Sequence, residues 1–259
     1  MGCPLRIGAV EYLNTRPLIH QLERIAPEVE LRLEVPSRLA DQLAAGELDV
    51  ALIPSVEYFS EPGYRIVSDA CIACRGAVWS VKLLCRVPPA QIATLALDEG
   101  SRTSAALVQI LLHQQYGVRP ELVPLPLGED PAEAEADAVL VIGDRAIHTR
   151  VDHTWVEVWD LGERWLHWTG LPFVFAMWVA RPGVEPQPVG SWLARARDFG
   201  MAHLDKIARA EAPRVGLPWE RCLGYLRDNL HFYLGPRERQ GLERFRRLVN
   251  QYQFVPQQR

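Results

Sequence analysis

Long apolar runs are missing from this chain of 259 residues. A membrane-spanning helix needs roughly 20 consecutive apolar residues, and no stretch comes close, so no membrane partner is expected. A basic surplus is missing as well. The 28 Lys and Arg stand against 32 Asp and Glu, a formal net charge of -4, whereas a dedicated nucleic-acid binder usually carries excess positive charge. Residues 181–259 run the other way, with 14 Lys and Arg against 8 Asp and Glu. Those charges are scattered over amphipathic helical stretches and read as a solvated face, so no nucleic-acid partner is expected.

Signatures of familiar chemistry are equally scarce. There is no glycine-rich phosphate loop, no His-Glu-x-x-His, no nucleophile elbow and no pair of carboxylates at a readable catalytic spacing. The histidines His113, His148, His153 and His167 are scattered and read as structural. Five cysteines are present, Cys3, Cys71, Cys74, Cys85 and Cys222. Cys71 and Cys74 have redox-motif spacing, but they lie on a strand-like run and no second Cys/His pair completes a zinc site. Buried, reduced thiols are the expectation, with neither metal nor organic cofactor. Met1 to Arg6 passes straight into the first strand without an apolar leader, so a cytoplasmic protein is expected.

What the chain does have is 48% apolar residues, enough for a sizeable core, arranged in a repeating order. Leu5 to Tyr12 reads as a buried strand. Pro17 then opens a helical pattern through Leu18, Leu22 and Ile25. Glu30 to Val35 reads as a second strand, Ser37 to Gly46 as a helix, and Asp49 to Ile53 as a third strand. This β-α-β-α-β alternation predicts parallel strands. In open α/β sheets ligands bind beyond the carboxyl ends of such strands, where Asn14 and Ser55 stand. Read alone, Asn14 is better explained as a helix cap. Tyr64 to Cys71 and Ala77 to Val87 read as two strands joined by a turn at Gly76, the second carrying Ser80 on one face with Val78, Lys82 and Leu84.

Val87-Pro88-Pro89 breaks the pattern and marks a lobe boundary. Thr94 to Asp98 begins a new series of elements. Gly100-Ser101-Arg102-Thr103-Ser104 then opens a helix through Leu107, Ile110, Leu111 and Gln114. Hydroxyls able to cap free amides, beside a guanidinium able to hold a carboxylate bidentately, read as an anion site. Glu121 to Leu127, Ala138 to Ile142 and Thr154 to Asp160 supply further strands, and Gly143-Asp144 ends the second of them at the expected cleft. Phe173 to Ala180 reads as a strand returning to the first lobe. The apolar stripes of the C-terminal helices (Trp192, Ala196 and Phe199; Leu223, Leu226 and Leu230; Leu242, Phe245, Leu248, Val249 and Tyr252) brace it. The expected organisation is therefore lobe 1 over residues 1–88, lobe 2 over 89–172, and lobe 1 again over 173–259. From the residues alone the reading stops at a two-lobed binder of a small anion.

Tyr12-Leu13-Asn14-Thr15-Arg16-Pro17 resembles the signature of the chorismate dehydratases of the futalosine route to menaquinone. The resemblance continues in order through residues 52–58, Val78-Trp79-Ser80-Val81 with Leu84 and Arg86, and residues 97–104. It returns in Ile142-Gly143-Asp144-Arg145-Ala146, in residues 160–165 and in residues 169–176. It implies an α/β, two-lobed periplasmic-binding-protein-like fold of type II with its ligand cleft between the lobes. It further implies a carbon-oxygen lyase that converts chorismate to 3-[(1-carboxyvinyl)oxy]benzoate and water, without a cofactor. Asn14 and Ser80 become the expected catalytic residues. Thr15, Arg16, Ser55, Ser101, Arg102, Thr103, Ser104, Gly143 and Asp144 become the expected substrate contacts. An amide is too weak a base to take a proton from carbon. The expectation is that the substrate's own side-chain carboxylate takes it, positioned by Asn14, while Ser80 assists departure of the hydroxyl and lobe closure excludes water. Three other readings share the two-lobed plan. They are the sister enzyme 1,4-dihydroxy-6-naphthoate synthase, which lacks the Tyr-Leu-Asn-Thr-Arg-Pro corner, a non-catalytic solute-binding protein, and a ligand-sensing regulator core.

Overall fold

The computed structural model describes residues 4–150 and 152–254; Cys3, expected to be reduced, lies outside them. In chain order the first half runs β1 (Leu5–Val10), α1 (Leu22–Ile25), β2 (Val29–Glu34), α2 (Pro36–Ala44), β3 (Val50–Pro54), α3 (Ser55–Tyr58), β4 (Arg65–Cys74) and β5 (Val81–Cys85). It continues with β6 (Thr94–Asp98), α4 (Thr103–Tyr116), β7 (Glu121–Leu125), β8 (Ala138–Ile142), α5 (Gly143–His148), β9 (Glu157–Asp160) and α6 (Leu161–Thr169). The last part is β10 (Phe173–Ala180), α7 (Val189–Met201), α8 (Leu204–Val215), α9 (Trp219–Gly224), β11 (His231–Tyr233) and α10 (Pro236–Tyr252), with a π-helical turn at Tyr225–Asn229.

The strands form two sheets. The six-stranded sheet has the order β11-β4-β10-β3-β1-β2 and the five-stranded sheet the order β7-β6-β8-β5-β9. β1 pairs in parallel with both β2 and β3, as the β-α-β-α-β alternation requires. β10 fits antiparallel between β3 and β4. Its eight residues, FVFAMWVA, are all buried, the continuous apolar run expected of a strand covered on both faces. Fully burying one such side chain contributes about 1.5–3 kcal/mol, so this strand is a main contributor to the first sheet. β8, AVLVI, is equally buried at the centre of the second sheet.

The strand pair read as a hairpin about Gly76 is instead a passage from one sheet to the other. β4 ends in the first sheet at Cys74 and β5 starts in the second at Val81. The change of sheet therefore precedes residue 88, and β5 stands with β6–β9. Its cause is Asp160, at the end of β9. The Asp160 carboxylate accepts the amides of Val78 (2.9 Å) and Trp79 (2.6 Å) on this first passage, and those of Gly162 and Glu163 (3.0 and 3.1 Å) where α6 begins the return. One carboxylate thus ties together both passages between the sheets. Trp79 is held at φ 65°, a left-handed conformation that non-glycine residues rarely adopt.

The helix read from Pro17 onward is also different. Residues 13–15 form a single 3-10 turn, and after several turn residues only Leu22–Ile25 is α-helical, entered through Gln21 at φ 58°. Asn14 caps nothing there. Of the C-terminal stripes, Leu226, Phe245, Leu248 and Val249 are buried as expected, whereas Phe199 is 42% exposed and stacks on His20 and His203. The Cys71 and Cys74 side chains are free and buried, and burial pushes the Cys74 thiol up to about 12.

Candidate functional site

A cleft opens between the carboxyl ends of strands from both sheets. Val10, Ile72 and Phe175 of the first sheet form one apolar wall, and Val78, Val81 and Ile142 form the other. Polar groups enter at few points: Tyr12, Asn14, Ser80, and the loop Gly100 to Ser104 that leads into α4.

Asn14 is 9% exposed and Ser80 2%, so both face the cleft from a largely dry setting. Thr15 donates its hydroxyl to Asn14 Oδ1 at 3.2 Å, which leaves the Asn14 amide nitrogen to other partners. The Tyr225 hydroxyl donates to Ser80 Oγ at 2.8 Å. The Ser80 carbonyl accepts the Gly143 amide at 2.8 Å, which fixes the backbone from the other side. Gly143 has φ +62°, and a Cβ there would lie 2.7 Å from the Tyr12 ring. Glycine is needed on both counts. Burial, with help from the charges of Asp98, Glu11 and Asp144, pushes the Tyr12 phenol far above its ordinary range, so it stays a neutral hydroxyl.

Of the remaining expected contacts, Ser101 and Ser104 line the cleft and are almost fully buried. They stand where α4 leaves its first amides without intrahelical partners. No side chain caps this helix. Thr103 also borders the cleft, but its hydroxyl accepts the Val56 amide at 3.2 Å and lies 3.4 Å from the Ser55 hydroxyl. Ser55 itself donates to the Val174 carbonyl at 2.8 Å. This pair staples α4 to α3 and β10 and leaves Ser55 outside the cleft lining.

Three charged candidates are engaged by partners within the protein, and of these Arg102 also lines the cleft. Arg102, read as a free guanidinium for an anion, is bonded to Asp41 at 2.7 Å and to Glu57 at 3.3 Å. Burial opposes its charge, but the two carboxylates prevail and raise its pKa further. Arg16 pairs with Glu211 of α8 at 3.2 Å and points away from the cleft. Asp144 accepts the Leu13 amide at 3.1 Å and lies 3.6 Å from Arg214. It secures the corner rather than lining the cleft. Among the described residues no group of three or more His, Cys, Asp or Glu is placed to hold a metal ion, and no helix is long and apolar enough to cross a membrane.

Two residues outside the sequence reading belong to this site. Tyr12 stands in the quoted corner, so its presence was signalled. Tyr225 was hidden in a stripe of leucines read only as core.

A family model described as menaquinone biosynthesis matches residues 5–251. The chain belongs to this menaquinone-biosynthesis family. The chorismate dehydratase of Thermus thermophilus is 32% identical over 261 residues, covering 93% of this chain and 94% of that protein. Among solved structures, a protein of Archaeoglobus fulgidus superposes with a TM-score of 0.80 at 16% identity, covering 97% of this chain and 98% of that one. The periplasmic aliphatic sulphonate-binding protein of Escherichia coli does so with a TM-score of 0.62 at 16% identity, covering 98% and 94%. At such identity these two establish the fold alone, the α/β periplasmic-binding-protein fold with its cleft between two sheets.

Proposed function

We propose that this protein is a chorismate dehydratase, a hydro-lyase that converts chorismate to 3-[(1-carboxyvinyl)oxy]benzoate and water. The observation that carries the reading is the pair Asn14 and Ser80, facing one cleft from a 3-10 corner and an inter-sheet passage within apolar walls. Such walls suit a six-membered ring, and neutral donors suit carboxylates that must be oriented rather than neutralised. The Ser101 and Ser104 hydroxyls and the first amides of α4 hold the ring carboxylate. Arg102 supports them indirectly, by fixing the loop against Asp41 and Glu57.

In the reaction the C3–H electron pair becomes the new π-bond of the ring. The C4–O pair leaves with the hydroxyl oxygen, and the proton from C3 ends on that oxygen as water. Aromatisation supplies the driving force, so the protein has only to fix one conformer and stabilise the departing oxygen. Asn14 is no base. Its amide orients the enolpyruvyl carboxylate over C3, and that carboxylate takes the proton. Ser80 donates a hydrogen bond to the leaving oxygen. Thr15 keeps the Asn14 carbonyl oxygen engaged, and Asp144 keeps the corner in place.

The test is incubation of pure protein with chorismate, followed by ultraviolet spectra and chromatography. Appearance of 3-[(1-carboxyvinyl)oxy]benzoate is the expected result. Binding without turnover would favour the non-catalytic reading, and no interaction with chorismate at all would send the assignment to another substrate of this family.

A further inference from the structure

Tyr225 has no part in the site as the sequence presents it, yet it is 2% exposed and lies directly behind Ser80. Its neighbours are unusual. The edge of its ring meets Trp79 at 5.5 Å and 67°. Trp79 is the residue held in the left-handed region by Asp160, one position before Ser80. Backbone conformations of this kind cost about 1–3 kcal/mol and persist only where surrounding contacts enforce them. Tyr225 also opens the π-helical turn Tyr225–Asn229, a distortion often found at functional positions.

We propose that Tyr225 is a positioning residue that aims the Ser80 proton into the cleft. A serine hydroxyl has one proton and accepts through its lone pairs. The Tyr225 hydroxyl donates to Ser80 Oγ at 2.8 Å, so it occupies a lone pair on the buried side and the Ser80 proton is left for the cleft. Burial holds the Tyr225 phenol well above its ordinary range, so it remains a donor at any working pH. The relay from Tyr225 to Ser80 thus delivers its last proton where a leaving oxygen would sit. Each bond polarises the next.

This inference rests on the dehydratase reading, and its test separates the two. Tyr225→Phe keeps the ring against Trp79 and removes only the hydroxyl. Its kcat should fall by about tenfold or more while KM stays within about threefold, the pattern of a lost contact to the developing charge. In a Ser80→Ala background the same change should alter kcat by less than about twofold, because the group it positions is gone. A Tyr225→Phe enzyme with wild-type kcat, or one whose loss is undiminished in the Ser80→Ala background, would overturn the proposal. If wild-type protein releases no product from chorismate, the substrate reading fails by itself. Melting of the same four proteins then decides the hydrogen bond: non-additive losses in Tm support it, and additive losses refute it.

Discussion

The carboxylate of Asp144, in α5, accepts the backbone N–H of Leu13 at 3.1 Å and so fastens the corner that carries Asn14 to the second sheet. Removing an acceptor from a buried donor costs about 1–3 kcal/mol. Asp144→Ala should therefore lower Tm by a few degrees and, by loosening Asn14, lower kcat by about tenfold. Asp144→Asn keeps an oxygen that can accept the Leu13 proton and should stay within a fewfold of wild type. Kinetics and melting of the two variants side by side check this.

Gly143→Ala tests the contact between α5 and Tyr12. At φ +62°, with a Cβ 2.7 Å from the tyrosine ring, alanine brings about 1–2 kcal/mol of left-handed strain together with a steric clash. Tyr12 lines the cleft, so displacing its ring alters the cleft wall. A raised KM for chorismate with reduced Tm is expected, and steady-state kinetics with thermal melting measure both.

Arg102 holds its neighbours rather than facing an anion with a free charge. Burial raises the pKa of Glu57, and Arg102 opposes that shift. Arg102→Ala should cost about 3 kcal/mol by leaving Glu57 buried and unpaired, and a second change, Glu57→Gln, should recover much of the loss. Denaturant titration of the single and double variants decides it. A full loss of binding with unchanged stability would restore the direct anion role.

Asp49 contributes to the pH dependence of stability. Hydrogen bonds from the Arg6 side chain, outweighing burial and joined by Arg181, hold its carboxyl well below the usual range. A depressed carboxylate adds stability that is fully present above the unfolded pKa of about 4 and is lost as pH falls through the folded value. Asp49→Asn should lower Tm on the order of 5 °C at pH 7, since charge-assisted bonds of this kind contribute about 1.5–3 kcal/mol. The gap between the two proteins should close in melts taken progressively below pH 4.

Much of this was legible in the sequence, for local reasons. The parallel trio β2-β1-β3, the strands β6, β8 and β10, and the start of α4 announce themselves through apolar runs and punctuation within a dozen residues. Asn14, Ser80, Ser101 and Ser104 stand at strand ends, where such folds place ligands. The passage at 75–80 was not legible, because a strand has the same alternation whichever sheet it joins, and the residue that directs it, Asp160, lies some 80 positions away in the chain. The same holds for Arg16 and Arg102, whose partners Glu211 and Asp41 are distant in sequence. It holds too for Ser55 and Thr103, which read as ligand hydroxyls yet bond each other's elements. Tyr225 sits among leucines at helical spacing, and nothing in that spacing distinguishes a core aromatic from one whose hydroxyl bonds a cleft serine from behind.

Asn14→Asp tests the central claim most directly, by chorismate turnover measured beside the melting temperature. Asn14 accepts from Thr15 and caps no helix, so aspartate in its place keeps the acceptor. It also sets a negative charge against the substrate carboxylate and removes the amide protons. Wild-type protein should form 3-[(1-carboxyvinyl)oxy]benzoate, and the variant should lose orders of magnitude in rate, far more than the few degrees of Tm that burying a carboxylate at this position costs. A variant that turns over chorismate at near the wild-type rate would contradict the claim.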